Sequence, residues 1–260
     1  MRKMKFIVEE IKNKRLIITL NRPEKRNALH PDLVSEMKTV LHESVSNDDV
    51  KVVIIQAEGK AFCAGADLAY LKELQSNTYE ENLEDSNHLR ALFELIYTFP
   101  KPVIAKVQGH AIAGGCGLAT VCDFVYAAEE AKFGYTEVKI GFVPAMVLVF
   151  LIRKIGEARA SELLLSGELI DTTQAEKIGL IHKACSSDTL DEEVEQLANS
   201  LIKNNSGESM KLTKHLIKSV QNLSMDDAMK RASETNADAR ATEDCKKGID
   251  AFLNKKPISW

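Results

Sequence analysis

Two short runs of small residues carry the chemistry that the sequence suggests. The run "CAGADL" (63–68) follows the apolar segment "VVIIQ", and "AIAGGCGLA" (111–119) follows "VIAKV". Each marks the passage from a buried strand to a helix, where glycine costs about 1 kcal/mol relative to alanine. Small residues at a helix start leave unpaired N–H groups open to a ligand oxygen. Two such donors that meet at one point would form an oxyanion hole.

Glycines at a helix start have two other interpretations. They also permit close packing of a helix on a sheet, and for one turn alone this explanation is as good as the first. A dinucleotide-binding turn is the second, but its third glycine position is Thr120 here, and no acidic residue ends a second strand. We therefore set the dinucleotide interpretation aside.

The elements around these turns predict an α/β fold. The runs "VKVVIIQAEG" and "KPVIAKVQG" are continuously apolar over the length of a strand, which is typical of strands buried on both faces. "DFVYAAEEAKFG" predicts two more short strands, and the chain beyond "FVPAMVLVFLIRKIG" is mainly helix-forming. Strand–helix alternation indicates a mainly parallel sheet. Both glycine turns then follow the carboxyl ends of parallel strands, where ligands bind in such folds.

The composition argues against nucleic-acid-binding, membrane-spanning and metal-binding proteins. Lys+Arg 34 against Asp+Glu 38 in 260 residues gives a net charge of −4, which argues against a nucleic-acid binder with a basic surface. No apolar run reaches the roughly 18–20 residues of a membrane span, and the amino terminus lacks the pattern of a signal peptide. The five cysteines form no Cys-x-x-Cys pair, so we expect reduced thiols, no metal site and a cytoplasmic location.

Four ordered motifs resemble one known family. "LNRPEKRNAL", "GKAFCAGADL", "VQGHAIAGGCGLATVCDFVYAAEEAKFGYTEVKIGFVP" and "GIDAFLNKKPISW" are together similar to the enoyl-CoA hydratase/isomerase (crotonase) superfamily. The resemblance implies a spiral of ββα units over residues 1–187 and a helical trimerisation region over residues 188–260. It also implies acyl-CoA thioester substrates, no cofactor beyond the CoA of the substrate, and a homotrimer or hexamer.

The resemblance also assigns site residues. It implies that the N–H groups of Ala66 and Gly114 hold the thioester enolate oxygen, with Ala113 where the family has its first glycine. Glu137 is the implied catalytic carboxylate. The implied substrate-binding residues are Arg26, Ala28, Ala64, Asp67, Leu68, Ile112, Gly115 and Gly117.

Some of these residues have simpler explanations from the sequence itself. Lys25 and Arg26 are cations suited to CoA phosphates, but they also fit a solvated loop. Asp67 suits the positive end of a helix dipole. Glu137 in "TEVK" also fits an exposed loop, Tyr135 fits packing better than acid catalysis, and His110 fits a structural role.

The sequence departs from the family at one position. Family hydratases commonly carry a second glutamate three residues after the oxyanion glycine, and this position is Gly117. A side chain there would point back over the thioester, so we expect glycine to leave that space empty. Glu137 then acts as the only carboxylate, and we expect apolar neighbours to raise its pKa by desolvation. The neighbours proposed for this are Phe133, Ile140 and Phe142.

The expected activity is hydration of a 2-enoyl-CoA thioester, in fatty-acid or leucine catabolism. "AGGCGLA" and "TEVKIGFVPA" are similar to the methylglutaconyl-CoA hydratase branch, whose substrate favours a cation such as Lys139 or Arg153 in the acyl pocket. One carboxylate also suits an enoyl-CoA isomerase, and an acyl-CoA decarboxylase needs no base. A member of this branch binds RNA, so RNA binding is the alternative of another class, although the acidic charge balance disfavours it.

Overall fold

The computed structural model describes all 260 residues and contains eleven strands and eleven α-helices. The strands are β1 (Arg2–Lys3), β2 (Ile7–Lys12), β3 (Arg15–Leu20), β4 (Val52–Ala57), β5 (Ala61–Cys63), β6 (Val103–Val107), β7 (His110–Ile112), β8 (Phe124–Ala128), β9 (Lys132–Gly134), β10 (Ile170–Asp171) and β11 (Lys183–Cys185). The helices are α1 (Pro31–Ser44), α2 (Leu68–Glu73), α3 (Tyr79–Thr98), α4 (Gly114–Thr120), α5 (Ala145–Ile155), α6 (Glu157–Ser166), α7 (Thr172–Lys177), α8 (Leu190–Asn204), α9 (Gly207–Ser219), α10 (Met225–Ala241) and α11 (Glu243–Leu253).

The larger sheet has seven strands in the order β1-β2-β3-β4-β6-β8-β11. The strands from β3 to β11 pair in parallel, and β1 and β2 are antiparallel additions at one edge. Residues 52–55 of β4 and 103–105 of β6 are buried, as their continuous apolar runs predict. The predicted α/β fold with a mainly parallel sheet is confirmed.

A second, smaller sheet has the order β10-β9-β7-β5, and β5, β7 and β9 pair in parallel. The successions β4-β5-α2, β6-β7-α4 and β8-β9-α5 make the repeated ββα unit that the resemblance implies. The sequence predicted β9 but not β5 or β7. Each has only three residues, too few to show an alternation of apolar and polar side chains. Unlike β9, each leads directly into a turn of small residues, which the sequence assigned to a loop or to a helix.

The main core lies between the two sheets and the helices packed on them, where 41 buried residues form one apolar cluster. A second cluster of eight residues joins the other face of the larger sheet to α8, through Leu190, Val194 and Ala198. The three helices that follow α8 bury few side chains, with Lys214 on α9 and Ala251 on α11. The division at residue 188 stays a prediction. None of the helices is both long and apolar enough to cross a membrane.

Candidate active site

Three short parallel strands end at one edge of the smaller sheet and bring the predicted catalytic residues to the same place. The registers Cys63↔Ala111 and Ile112↔Gly134 align the ends of β5, β7 and β9. The segments that leave these ends are 64–67, 113–117 and 135–137, which contain Ala66, Gly114 and Glu137. The structure therefore places all three on adjacent segments, although the sequence had assigned the first two turns to the ends of the longer strands.

The two glycine turns touch each other at Gly65. A Cβ atom built on Gly65 would lie 2.8 Å from Cβ of Ala113 and 3.4 Å from the backbone nitrogen of Gly114. The φ angle of Gly65 is +88°, in the region that only glycine adopts without strain. Glycine at position 65 is therefore needed for the close approach of the two turns.

The predicted donor groups are free of other partners in this arrangement. On the first turn, the Leu29 N–H donates to the Gly65 carbonyl and the Asp67 N–H donates to the Leu29 carbonyl, whereas the Ala66 N–H has no acceptor within the chain. Gly114 begins α4, so its N–H has no intrahelical acceptor. Each turn thus keeps one backbone donor for a ligand.

Ala113 adopts a strained backbone between β7 and α4. Its φ and ψ are +53° and −127°, a conformation that is unfavourable for a residue with a side chain and typically costs about 1–3 kcal/mol. A hydrogen bond of 2.7 Å from its N–H to the Gly134 carbonyl holds it there. The same hydrogen bond joins the end of β7 to the segment that leads into Glu137.

The glycines of α4 serve two different purposes. A Cβ atom on Gly115 would overlap the carbonyl group of Cys63, so Gly115 is required by the packing of α4 on β5. This is the alternative explanation that the sequence left open, and it holds for this residue. Gly114 is less constrained, because a Cβ atom there would lie 3.1 Å from the Leu29 side chain.

The space beside Gly117 is filled, and the expectation that it would be empty is wrong. A Cβ atom on Gly117 would overlap Cγ1 of Val147 and lie 3.0 Å from its Cβ. Val147 lies on α5, thirty residues along the chain, and is buried. The side chain of Val147 therefore occupies the place into which a carboxylate on residue 117 would project.

Glu137 is a buried carboxylate with an unused oxygen. It is only 8% exposed, at the start of a 3-10 turn that spans Glu137–Ile140. Its Oε2 atom is buried and has no hydrogen-bond partner. Burial raises the pKa of this carboxyl above its usual range, in spite of a backbone hydrogen bond that lowers it. A carboxylate that is buried, poorly solvated and unpartnered is suited to accept a proton from a bound molecule.

Of the three apolar residues expected to desolvate Glu137, one is buried and two are exposed. Phe133 is fully buried. Ile140 and Phe142 are 67% and 57% exposed, and they flank Gly141, whose φ is +74°. Side chains this exposed shield a neighbouring group from water poorly, so the predicted contribution of these two to the raised pKa of Glu137 has no support in the structure.

Two polar neighbours have structural roles, as the sequence predicted. The hydroxyl of Tyr135 is fully buried and lies 2.7 Å from Oγ1 of Thr120. Nδ1 of His110 accepts a hydrogen bond of 3.2 Å from the Lys132 N–H. The Tyr135 hydroxyl is therefore engaged inside the core, and the His110 ring links β7 to β9 through its Nδ1.

A polar loop lies along the first glycine turn. The Ala64 N–H donates to the Arg26 carbonyl over 3.0 Å, and Leu29 and Ala66 form a parallel bridge. Asn27 is fully buried, and its Nδ2 donates to the carbonyls of Glu58 and Ala61 at 2.8 Å each. Because buried polar groups need hydrogen-bond partners, Asn27 fixes the loop against the segment that contains Glu58 and Ala61. The sequence analysis did not identify this positioning role.

Asp67 is occupied by an ion pair rather than open to a ligand. Its Oδ2 lies 2.6 Å from Nη1 of Arg22, and its Oδ1 accepts hydrogen bonds from the N–H groups of Ala69 and Tyr70 as the cap of α2. Burial alone would raise the pKa of Asp67, but the hydrogen bonds from Arg22 and the two N–H groups lower it overall. These contacts favour the helix-cap interpretation of its carboxylate.

We expect Arg22→Met to lower the free energy of unfolding by about 3 kcal/mol, because it leaves the buried Asp67 carboxylate without its partner. The pKa of Asp67 is lowered on folding, so the pair stabilises the protein above pH 3.8 and the effect is lost as the pH falls further. Urea titrations at several pH values measure this loss. Arg159→Met, which breaks an exposed pair with Glu162, serves as the control and should cost less than about 1 kcal/mol. An equal loss in both variants would contradict the prediction.

The other predicted substrate-binding residues differ in exposure. Arg26 is exposed and forms no ion pair, and Leu68 is 74% exposed. Ala64 and Ile112 are half-buried, and Ala28 is buried. Arg26, Ala28, Ala64 and Leu68 all belong to the loop and the turn that the bridge between Leu29 and Ala66 joins.

Neither candidate cation for the acyl pocket is on these segments. Lys139 is exposed and pairs with Glu168 at 2.7 Å. Arg153 donates to the carbonyl of Val149 and to the side chain of Asn222. It lines a cavity of about 880 Å³ between α5 and the carboxyl-terminal helices. This cavity contains none of the three site segments, so its size does not make it the site of the chemistry.

No group of three or more His, Cys, Asp or Glu side chains is arranged to hold a metal ion. All five cysteines are free thiols, as the sequence predicted.

Comparison with known proteins identifies close relatives. The family model described as enoyl-CoA hydratase/isomerase matches residues 10–260. A Thermus thermophilus protein is 42% identical over 93% of this chain and 95% of its own length. The crotonyl-CoA hydratase of Syntrophomonas wolfei is 36% identical over 98% of this chain and 97% of its own. The crystal structure of an enoyl-CoA hydratase from Shewanella pealeana superposes with a TM-score of 0.93 at 31% identity and covers 98% of this chain and 96% of that one.

Proposed function

The chain belongs to the enoyl-CoA hydratase/isomerase family, and on this premise we propose that it adds water to the double bond of a 2-enoyl-CoA thioester. It is an enzyme of the lyase class, and the chemistry needs no cofactor beyond the CoA carried by the substrate. The observation that carries the proposal is the unpartnered, buried carboxylate of Glu137 beside two turns that each keep a free N–H group.

In the proposed mechanism the N–H groups of Ala66 and Gly114 hold the thioester oxygen. Negative charge moves onto that oxygen when the hydroxyl group of water adds to C3, and donors fixed in advance stabilise this enolate. Glu137 takes the proton from the water and then delivers it to C2, so that the carboxylate is regenerated and one water has been added. Its raised pKa suits both steps.

Isomerisation is the second candidate, and Val147 is the observation that favours it. With the space beside Gly117 filled, Glu137 is the only carboxylate for the reacting carbons. Moving a double bond from C3 to C2 breaks one C–H bond at C2 and forms one at C4, with the same proton carried between them. One carboxylate is sufficient for that transfer.

We propose further that the acyl group is of the methylglutaconyl type, with a distal carboxylate. This proposal is supported only by the similarity of "AGGCGLA" and "TEVKIGFVPA" to that branch. Lys139 and Arg153 already have partners, so the cation for the distal carboxylate is not identified.

A panel of CoA thioesters separates these activities. The purified protein is incubated with 2-enoyl-, 3-enoyl- and methylglutaconyl-CoA, and the mass of each product is determined by mass spectrometry. Hydration adds the mass of one water, isomerisation leaves the mass unchanged, and decarboxylation removes one carbon dioxide. If no 2-enoyl-CoA in the panel gains water, the hydratase proposal is wrong.

We propose that Arg26 and Lys25 bind phosphates of CoA from the solvent side of the loop. Arg26→Ala is expected to raise KM about fivefold and leave kcat unchanged, because an exposed cation contributes about 1 kcal/mol to binding. The effect should shrink at high salt, where exposed charges are screened. Arg240→Ala is the control, because Arg240 is also an exposed cation but lies in α10, outside the loop proposed to bind CoA. A salt-independent change in KM would contradict a phosphate contact.

We also propose that the chain forms a homotrimer or hexamer. Large apolar side chains remain exposed on α10 and α11, with Met225 at 77% and Phe252 at 84%. Light scattering coupled to size exclusion measures the mass directly, and a monomer at micromolar concentration would contradict the proposal.

A further inference from the structure

The side chain of Val147 packs directly against α4 at Gly117. This residue is buried on α5, and its side chain covers the face of α4 at Gly117, where Phe93 is the next nearest contact. Gly117 is one helical turn beyond Gly114, and helix side chains lean toward the amino terminus of the helix. A side chain on residue 117 would therefore lean over the free N–H of Gly114, which is the space that Val147 closes.

The groups able to exchange a proton on the three site segments are few. Asp67 is paired with Arg22. Burial raises the pKa of Cys63 to about 12 and that of Cys116 to about 11, so both thiols stay protonated near neutral pH. The hydroxyl of Tyr135 is bound to Thr120. This leaves Glu137 as the one available acid–base group.

We infer that Val147 is a specificity-determining residue, which closes the α4 face of the site to water and to any second polar group and so sets the ratio of hydration to isomerisation. The inference rests on the proposed function for its catalytic consequence. Hydration consumes a water that must be held in the site, whereas isomerisation transfers one proton through Glu137 and needs no water. Opening the space beside Gly117 should therefore favour hydration over isomerisation.

The first arm of the test measures stability and does not depend on any activity. Gly117→Ala in the parent should lower Tm by several degrees, because its Cβ overlaps Val147 and a packed core does not absorb an added methyl group. In the Val147→Ala background the same substitution should lower Tm much less. Val125→Ala is the matched control, since Val125 is fully buried on β8 and should show no coupling to Gly117→Ala. If Gly117→Ala lowered Tm equally in the parent, in Val147→Ala and in Val125→Ala, the claimed contact between residue 117 and Val147 would be wrong.

The second arm measures products. Gly117→Glu combined with Val147→Ala is expected to raise the ratio of hydration to isomerisation by at least about tenfold over Val147→Ala alone, a lower bound below the roughly 100- to 10,000-fold that one positioned acid or base contributes. Val147→Ala alone should move the ratio in the same direction, because it admits water, and it serves as the test if the double variant fails to fold.

The outcomes of the two arms separate this inference from the proposed function. An unchanged product ratio in a folded variant that still binds thioester overturns the role of Val147. If the parent converts neither 2-enoyl- nor 3-enoyl-CoA, the proposed function is wrong. The stability arm still tests the contact between Gly117 and Val147, because the Tm measurements do not depend on activity.

Discussion

Glu137→Gln is expected to lower kcat for hydration of a 2-enoyl-CoA thioester by about 100- to 10,000-fold and to leave thioester binding unchanged. The amide is nearly the same size as the carboxyl but accepts no proton from water. The donors on Ala66 and Gly114 are backbone groups, so the substitution leaves them intact. Stopped-flow loss of the enoyl chromophore gives the rate, and titration calorimetry gives the affinity.

The same substitution is expected to preserve or increase stability. Burial raises the pKa of Glu137 above the 4.5 of an ordinary glutamate, so the folded state keeps this proton to a higher pH than the unfolded state. Between these two pKa values the unfolded state binds fewer protons, and the free energy of unfolding falls as the pH rises. Glutamine does not titrate, so the variant does not lose this free energy of unfolding. Its free energy of unfolding relative to the parent should therefore increase from pH 4.5 upward and then level off.

The activity of the parent should show the same raised pKa. A base must be ionised to take the proton from water, so kcat/KM is expected to fall on the acid side at a pH above 4.5. Glu84→Gln, at an exposed site inside α3, is the matched control and should alter neither rate nor stability. A Glu137→Gln variant that hydrates at the parental rate, or one that is clearly less stable at pH 7, would show that Glu137 is not a desolvated catalytic base.

Much of the site was predictable because its parts are local in sequence. The two turns of small residues have a signal within a few positions, and their order with "TEVK" carries the resemblance. Parallel strands bring the ends of such segments to one edge, so the two turns could be placed together before any coordinates. The choice of Ala66 and Gly114 as the two donors came from the family resemblance. The strands that do so, β5 and β7, were missed because each is short and leads directly into its turn of small residues, which was assigned to a loop or to a helix.

The errors concern contacts between distant parts of the chain. The occupation of the space at Gly117 depends on a residue thirty positions away, and no local pattern in α5 distinguishes Val147 from the other apolar residues beside it. The pair between Arg22 and Asp67 likewise joins two loops that are forty-five residues apart.

Gly65→Ala is the second prediction with a large expected effect, and we expect it to lower kcat/KM by about 100- to 1,000-fold. The added Cβ would lie 2.8 Å from Cβ of Ala113 and 3.1 Å from the Ile112 carbonyl oxygen, so the two turns must move apart. We expect the N–H groups of Ala66 and Gly114, the proposed oxyanion-hole donors, then to lie too far apart to bind one oxygen. Steady-state kinetics on the thioester that the panel identifies measures the effect.

A second glycine separates steric displacement from simple backbone strain. Gly179 has a φ of +78°, close to the +88° of Gly65, but a Cβ atom there would meet nothing within 4 Å. Gly179→Ala therefore carries the same conformational penalty and is expected to lose stability while keeping its rate. Adding Ala113→Gly to Gly65→Ala removes the nearest of the clashing atoms and relieves the strain at residue 113, so part of the rate should return. If Gly65→Ala and Gly179→Ala lose equal activity, or if Ala113→Gly restores none, the two turns do not form a joint binding site for the thioester oxygen.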